Sequence, residues 1–113
     1  VQRRPAAVLM EQFDVYINPN TATRKDIPYL LDVQSDLLDT LSTRVVAPLV
    51  MEEEVGLAAQ HLNPQFKVKG IAVVMSTAEL AGISSRSLGD KVISLKSKRN
   101  EIIAALDLLF TGI

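Results

Sequence analysis

Few side chains in this sequence of 113 residues could carry out a reaction. His61 is the one histidine, and there is no cysteine. A single imidazole cannot build a two-histidine metal site or share acid and base roles with a second ring. Without thiols there is neither a cysteine nucleophile nor a thiolate metal site. His61 therefore reads as a partly exposed residue late in a surface helix. Asp32, Asp36 and Asp39 come closest to a carboxylate cluster. Paired carboxylates divide acid and base work when their environments differ. No nucleophile stands near these three, however, and Asp39 falls beyond a strand, so turn-forming and solvation roles are expected. No glycine pair has the spacing that cradles phosphate ahead of a helix. The expectation is a protein without catalytic residues, metal or cofactor, whose function lies in a binding surface.

Twelve basic side chains against thirteen acidic ones leave a net charge of −1. Such a balance gives no general electrostatic grip on nucleic acid or anionic membrane, so direct binding to either is not expected. With 48% apolar residues the chain can bury one core, and it is too short for two domains. No apolar run approaches the roughly twenty residues that span a bilayer. The apolar part of Val1–Leu9 is too short for a signal peptide. Met10 reads as the natural start, with residues 1–9 an upstream extension or expression scar and residues 10–113 a single domain. Absence of cysteine fits a reducing cytoplasm.

The elements that must position such a surface follow from periodicity. In Gln12–Ile17, Phe13, Val15 and Ile17 alternate with Gln12, Asp14 and Tyr16, the pattern of a strand with one buried face. Residues 18–26 are turn-rich and charged, hence an exposed loop. Tyr29, Leu31, Val33 and Ser35 alternate against Leu30, Asp32, Gln34 and Asp36 as a second strand, and Asp36–Asp39 forms a turn carrying two leucines between acids. Arg44–Val50 is β-branched and apolar, and Pro48 within it points to a sheet edge or strand end, because proline cannot donate to a ladder. Met51–Leu62, led by Glu52, Glu53 and Glu54, predicts a short surface helix with acids at its positive end. Phe66–Val68 and Ile71–Met75 read as strands turned at Lys69–Gly70, and Leu80–Ile93 as short strands and bends. Many short strands with helices separated in sequence predict an α+β fold, a small barrel of mostly antiparallel strands.

From about Ser97 the chain becomes helical. Ile102, Leu106, Leu109 and Ile113 form its buried stripe, with Phe110 at the margin, and Leu108 lies opposite as the more exposed apolar residue. Ile103, Asp107 and Thr111 make an i, i+4 ridge beside that stripe. Termini usually dissolve into polar tails. This one stays apolar through Gly112-Ile113, which points to a working surface there.

Four stretches carry a resemblance: Gln12–Tyr16, the block Asp32-Val-Gln-Ser-Asp-Leu-Leu-Asp39, Arg44–Leu49, and Arg99–Ile102 through Gly112-Ile113. From about Met10 onward the sequence resembles the CcdB toxins of toxin–antitoxin pairs. The resemblance implies an SH3-like barrel with a C-terminal helix, a homodimer, and the A subunit of DNA gyrase as target. It further implies trapping of the cleaved-DNA state, and neutralisation by the disordered tail of a CcdA antitoxin. The family's gyrase-contacting positions fall on Ser35, Leu37, Leu38, Asp107, Thr111, Gly112 and Ile113, and the helical wheel adds Ile103. Two residues depart from the family pattern. Thr111 stands in place of a tryptophan whose ring suits cation–π stacking, and Asp107 in place of an uncharged amide. Losing an aromatic anchor worth about 2 kcal/mol weakens a complex about thirtyfold. That departure keeps open a toxin-like protein that binds antitoxin without poisoning gyrase, as a regulator or decoy. A ribonuclease of the related MazF type is a third class, disfavoured by the scarcity of histidine and the lack of a basic groove.

Overall fold

The computed structural model describes residues 10–52 and 61–112. Among the described residues seven strands and one α-helix follow in order: β1 (Asp14–Ile17), β2 (Tyr29–Asp32), β3 (Thr43–Met51), β4 (Gln65–Val68), β5 (Ile71–Met75), β6 (Ala81–Ser84), β7 (Lys91–Ser94) and α1 (Arg99–Thr111). All pairings are antiparallel, in the order β4-β5-β3-β2-β1-β7, with β6 attached to β3. The fold is therefore α+β, a curled antiparallel half-barrel with one C-terminal helix, as expected.

β3 is the spine of this sheet, and here the expectation from Pro48 is corrected. Proline was expected at an edge, yet β3 pairs β2 along one side and both β6 and β5 along the other. Val45 O accepts from Val33 N, and Met51 N donates to Asp26 O, so odd-numbered residues of β3 face the β2 side. Even-numbered residues face the other side. There β6 covers Thr43–Val46 and β5 covers Leu49–Met51, which leaves Pro48 at the seam between them. Its missing donor faces that seam, and its carbonyl accepts from Ser76 N at 2.9 Å. A proline is tolerated inside a central strand where no ladder partner asks for its N–H.

β1 is also corrected. It begins at Asp14 and not at Gln12, and both of its faces are buried: Val15 points into the apolar core, while Asp14 and Tyr16, 0% and 4% exposed, are covered as well. β2 ends at Asp32, after which Val33 keeps one ladder bond and the chain turns through a 3-10 turn at Asp36–Leu38. β4 and β5 meet at Lys69–Gly70, as predicted, with both residues at positive φ, 51° and 81°. Met51 closes β3 and does not open a helix. The remainder of the predicted Met51–Leu62 helix falls largely on residues 53–60, outside the described residues.

The core gathers Phe13, Val15, Leu31, Ala47, Leu49, Phe66, Val68, Val73 and Met75 from the sheet, with Ile102 from α1 at 0% exposure. Burying a side chain of that size contributes about 1.5–3 kcal/mol, which fixes the helix against the sheet. Ala105 is buried one turn on, with Ile103 and Leu106 partly buried against the same cluster. The helix face thus turns slightly from the expected stripe. Phe110, expected at the margin of the core, is 69% exposed. Around the helix axis Phe110 lies between Leu106 and Ile103, on the flank the core half-covers, and it is left open because it stands in the last turn of α1, about two turns past Ile102.

Candidate functional site

Two surface features hold the residues singled out by sequence. The first is the turn after β2. Ser35 caps it, its Oγ accepting from Leu37 N at 3.2 Å, and Leu38 N donates to Ser35 O at 3.0 Å. This is the local order expected where a serine precedes a helical turn. Leu37 stands 91% exposed and Leu38 48%. Leu41, 49% exposed, joins them, and sequence reasoning missed it. Its signal was its spacing of three and four residues from the two leucines already named.

Beneath this turn lies a buried polar network. Asp32, Arg44 and Gln34 are 0%, 1% and 6% exposed. Arg44 Nε donates to Asp32 Oδ2 at 2.7 Å, and Asp32 Oδ1 accepts from Gln34 N at 3.0 Å. Asp32 had been expected to serve a turn or solvation role. It is instead half of a buried ion pair, because the register pairs Asp32 with Val46 and leaves Arg44 as its diagonal neighbour on the same face. Burial pushes the Asp32 carboxyl above its ordinary value, while Arg44 and the Gln34 N–H pull the other way. Tyr16 donates its hydroxyl to Asp14 Oδ2 at 3.4 Å, and burial, then the charges of Asp14 and Asp32, push the phenol upward. Lys91 of β7 reaches Asp14 Oδ1 at 3.3 Å. Gln34 connects the network to the turn: its Oε1 accepts from Val45 N at 3.0 Å, and its Nε2 donates to Leu38 O at 2.9 Å. From the other side Asp36 Oδ1 accepts from Gln12 N at 2.8 Å.

The second feature is the end of α1. Gly112 adopts the left-handed conformation, φ 74°, and donates its N–H to Leu108 O at 3.0 Å. Glycine occupies that position at little cost, whereas a side chain would be strained. Thr111 Oγ1 donates to Asp107 O at 2.7 Å. Asp107, Phe110, Thr111 and Gly112 are exposed. Ile103 departs from the expected free ridge, since it packs partly against the core, and Leu108 is half-buried where greater exposure was expected. Ile113 lies outside the described residues. No basic residue occupies the last turn, so the Asp107 carboxylate faces the negative end of the helix dipole uncompensated from within the helix.

The two features sit at different places on the chain. Lys96, just ahead of α1, binds Glu11 Oε2 at 2.8 Å, and the neighbouring Gln12 holds Asp36. The leucine turn is thereby tied to the segment that leads into the helix. The tip lies a helix length further on, roughly 20 Å for its 13 residues. No hydrogen bond or ion pair among the described residues joins turn and tip. His61 is exposed, and among the described residues no three His, Asp or Glu side chains gather where a metal could sit. Nor, among the described residues, is any helix long and apolar enough to cross a membrane.

An antiparallel half-barrel closed by a C-terminal helix thus carries an apolar turn propped from below and an exposed aromatic at the helix tip. The family model described as CcdB protein matches residues 12–112. The chain belongs to the CcdB family of toxins from toxin–antitoxin systems. Among solved structures it is similar to an endoribonuclease from Mycobacterial species, at 14% identity, with 88% of each chain covered and a TM-score of 0.65. It is also similar to an endoribonuclease in complex with its cognate antitoxin, again from Mycobacterial species, at 12% identity and TM-score 0.64, covering 87% of this chain and 91% of that one. At such identities the likeness is one of fold.

Proposed function

We propose that this protein binds the A subunit of DNA gyrase and holds the enzyme in its cleaved-DNA state. It acts in the cytoplasm as a homodimer, and performs no chemistry of its own. The observation that carries this reading is the leucine turn, at the Asp32–Asp39 block that carries the family resemblance. Leu37 is 91% exposed on a turn anchored from below by the partly buried hydrogen bond of Gln34 to Leu38 O. Keeping large apolar side chains in water on an ordered support is costly unless a partner covers them. Ser35, Leu37 and Leu38 form one contact patch, and Asp107, Thr111, Gly112 and Ile113, with Ile103 behind them, form the other. Thr111 brings no ring, but Phe110 beside it is 69% exposed and offers an aromatic face at the same tip. A ligand that binds one state of a cycling enzyme more tightly than the others moves the population into that state, so the broken DNA is the damage. A CcdA-type antitoxin is the proposed neutralising partner, supported by the similar fold of a protein solved with its cognate antitoxin.

Induced expression in a gyrase-containing bacterium tests the reading. Growth arrest with accumulation of cleaved DNA is expected, and removal of Gly112-Ile113 from a still-folded protein is expected to abolish it. Normal growth at confirmed soluble expression would overturn the poison. If the same protein still bound antitoxin, it would be the regulator or decoy.

A further inference from the structure

Gln34 takes no part in any contact surface described above: it is 6% exposed and faces inward. Its side chain nevertheless makes the one bond that runs from the sheet to the closing carbonyl of the leucine turn. Oε1 accepts from Val45 N on β3, and Nε2 donates to Leu38 O. Its backbone is fixed from both sides, the N–H on Asp32 Oδ1 at 3.0 Å and the carbonyl accepting from Arg44 Nη2 at 3.5 Å. Every polar group of this side chain that could rotate is therefore committed, and the amide cannot flip without breaking two bonds. By contrast, the turn's own bonds are short-range and exposed: Leu37 N to Ser35 Oγ, Leu38 N to Ser35 O, Asp39 N to Asp36 O and Leu41 N to Leu38 O. Local bonds of that kind open readily in water, so they do not by themselves hold three leucines in one arrangement.

We infer that Gln34 is a positioning residue, a strut that carries the rigidity of the Asp32–Arg44 pair into the Ser35–Leu41 turn and sets the shape in which Leu37, Leu38 and Leu41 meet a partner. The inference rests on the gyrase reading for the identity of that partner, but not for the strut itself. A preorganised turn binds more tightly because less order remains to be imposed on association. Loss of the strut acts on affinity through residues that Gln34 never touches.

Gln34→Met keeps the length of the side chain and removes both bonds. Gln34→Glu keeps an acceptor for Val45 N and removes the donor to Leu38 O. In the free full-length protein, amide exchange at Leu38, Asp39 and Leu41 is expected to quicken roughly fivefold to tenfold in both variants, the scale of one lost hydrogen bond. Exchange at Val15, Leu31 and Val73 should stay as in the wild type. Affinity for the gyrase A subunit should fall by a similar factor. Leu37→Ala should then weaken the Gln34→Met protein less than it weakens the wild type, because the two substitutions act through one element. Unchanged turn exchange, or turn and core amides quickening together, would overturn the strut. A loosened turn with unaltered gyrase affinity would overturn its role in recognition. If the wild type itself bound no gyrase, the function reading would fail while the exchange measurements still decided the strut.

Discussion

Burying Arg44 beside Asp32 removes two charges from water, and their 2.7 Å contact offsets only part of the desolvation. Such a pair adds little over apolar residues of the same shape, but either partner alone is a liability. Arg44→Met is expected to cost about 3–5 kcal/mol, and Asp32→Asn combined with Arg44→Met should recover most of it, as read from urea unfolding midpoints. The deficit of the single variant should shrink in acid. Burial already raises the Asp32 carboxyl, and without the guanidinium the folded state holds that proton still more strongly. A folded state that binds more protons than the unfolded chain loses stability as pH rises. A deficit that is constant across pH would argue against an uncompensated carboxylate. Nothing in the sequence near Arg44 signalled its burial, since an arginine opening a strand usually reads as an exposed end.

Elements are joined here by contacts distant in sequence, and the clearest is the link from the chain's start to the start of α1. Lys96 hydrogen-bonds Glu11 across 85 positions, which lowers the Glu11 pKa from 4.5, first through that bond and then through charge. The same contact raises Lys96 above 10.5. Stabilisation from Glu11 is present above its unfolded value and is lost as pH falls through the lowered folded value. That from Lys96 is present below 10.5 and lost as pH rises through the raised one. Both groups are exposed, so the effect on folding is small. Lys96→Met should return Glu11 to its ordinary titration, observable in a carboxyl NMR titration, and an unmoved Glu11 would show that the pair does not persist in solution. At this scale the sequence was most informative where a pattern was unbroken, the alternation of β4, the continuous apolar run of β5 and the helical spacing of α1. It misplaced Pro48 because a proline shows a missing donor but not which side of the strand lacks an acceptor. Phe110 was misjudged for a related reason: helical spacing places it on the half-covered flank with Ile103 and Leu106, but does not say how far along the helix the core extends.

For the whole molecule, a shared barrel does not by itself carry shared chemistry. Structures with TM-scores of 0.65 and 0.64 are named endoribonucleases, yet the described surface of this chain pairs exposed leucines and a phenylalanine with a lone exposed histidine. On the gyrase-poison reading the purified protein is expected to leave RNA intact, and to run as two chains by light scattering. Cleavage that survives repurification and follows the protein through a sizing column would replace the poison reading with a ribonuclease.

What the sequence determined by itself was the run of short antiparallel strands ahead of a C-terminal helix, the single histidine and absence of cysteine, and the Asp32–Asp39 block with its terminal Gly-Ile. All of these are written in local spacing and residue type. What the tertiary structure decided was which faces are covered and who stands opposite whom. Alternation says that Asp14 and Tyr16 share a side of β1, but only the pairing of Val15 with Leu31 and of Asp32 with Val46 sets Asp14, Asp32 and Arg44 together on the face opposite Val15 and Leu31. Period and register are separate quantities: the first belongs to one strand, and the second exists only between strands.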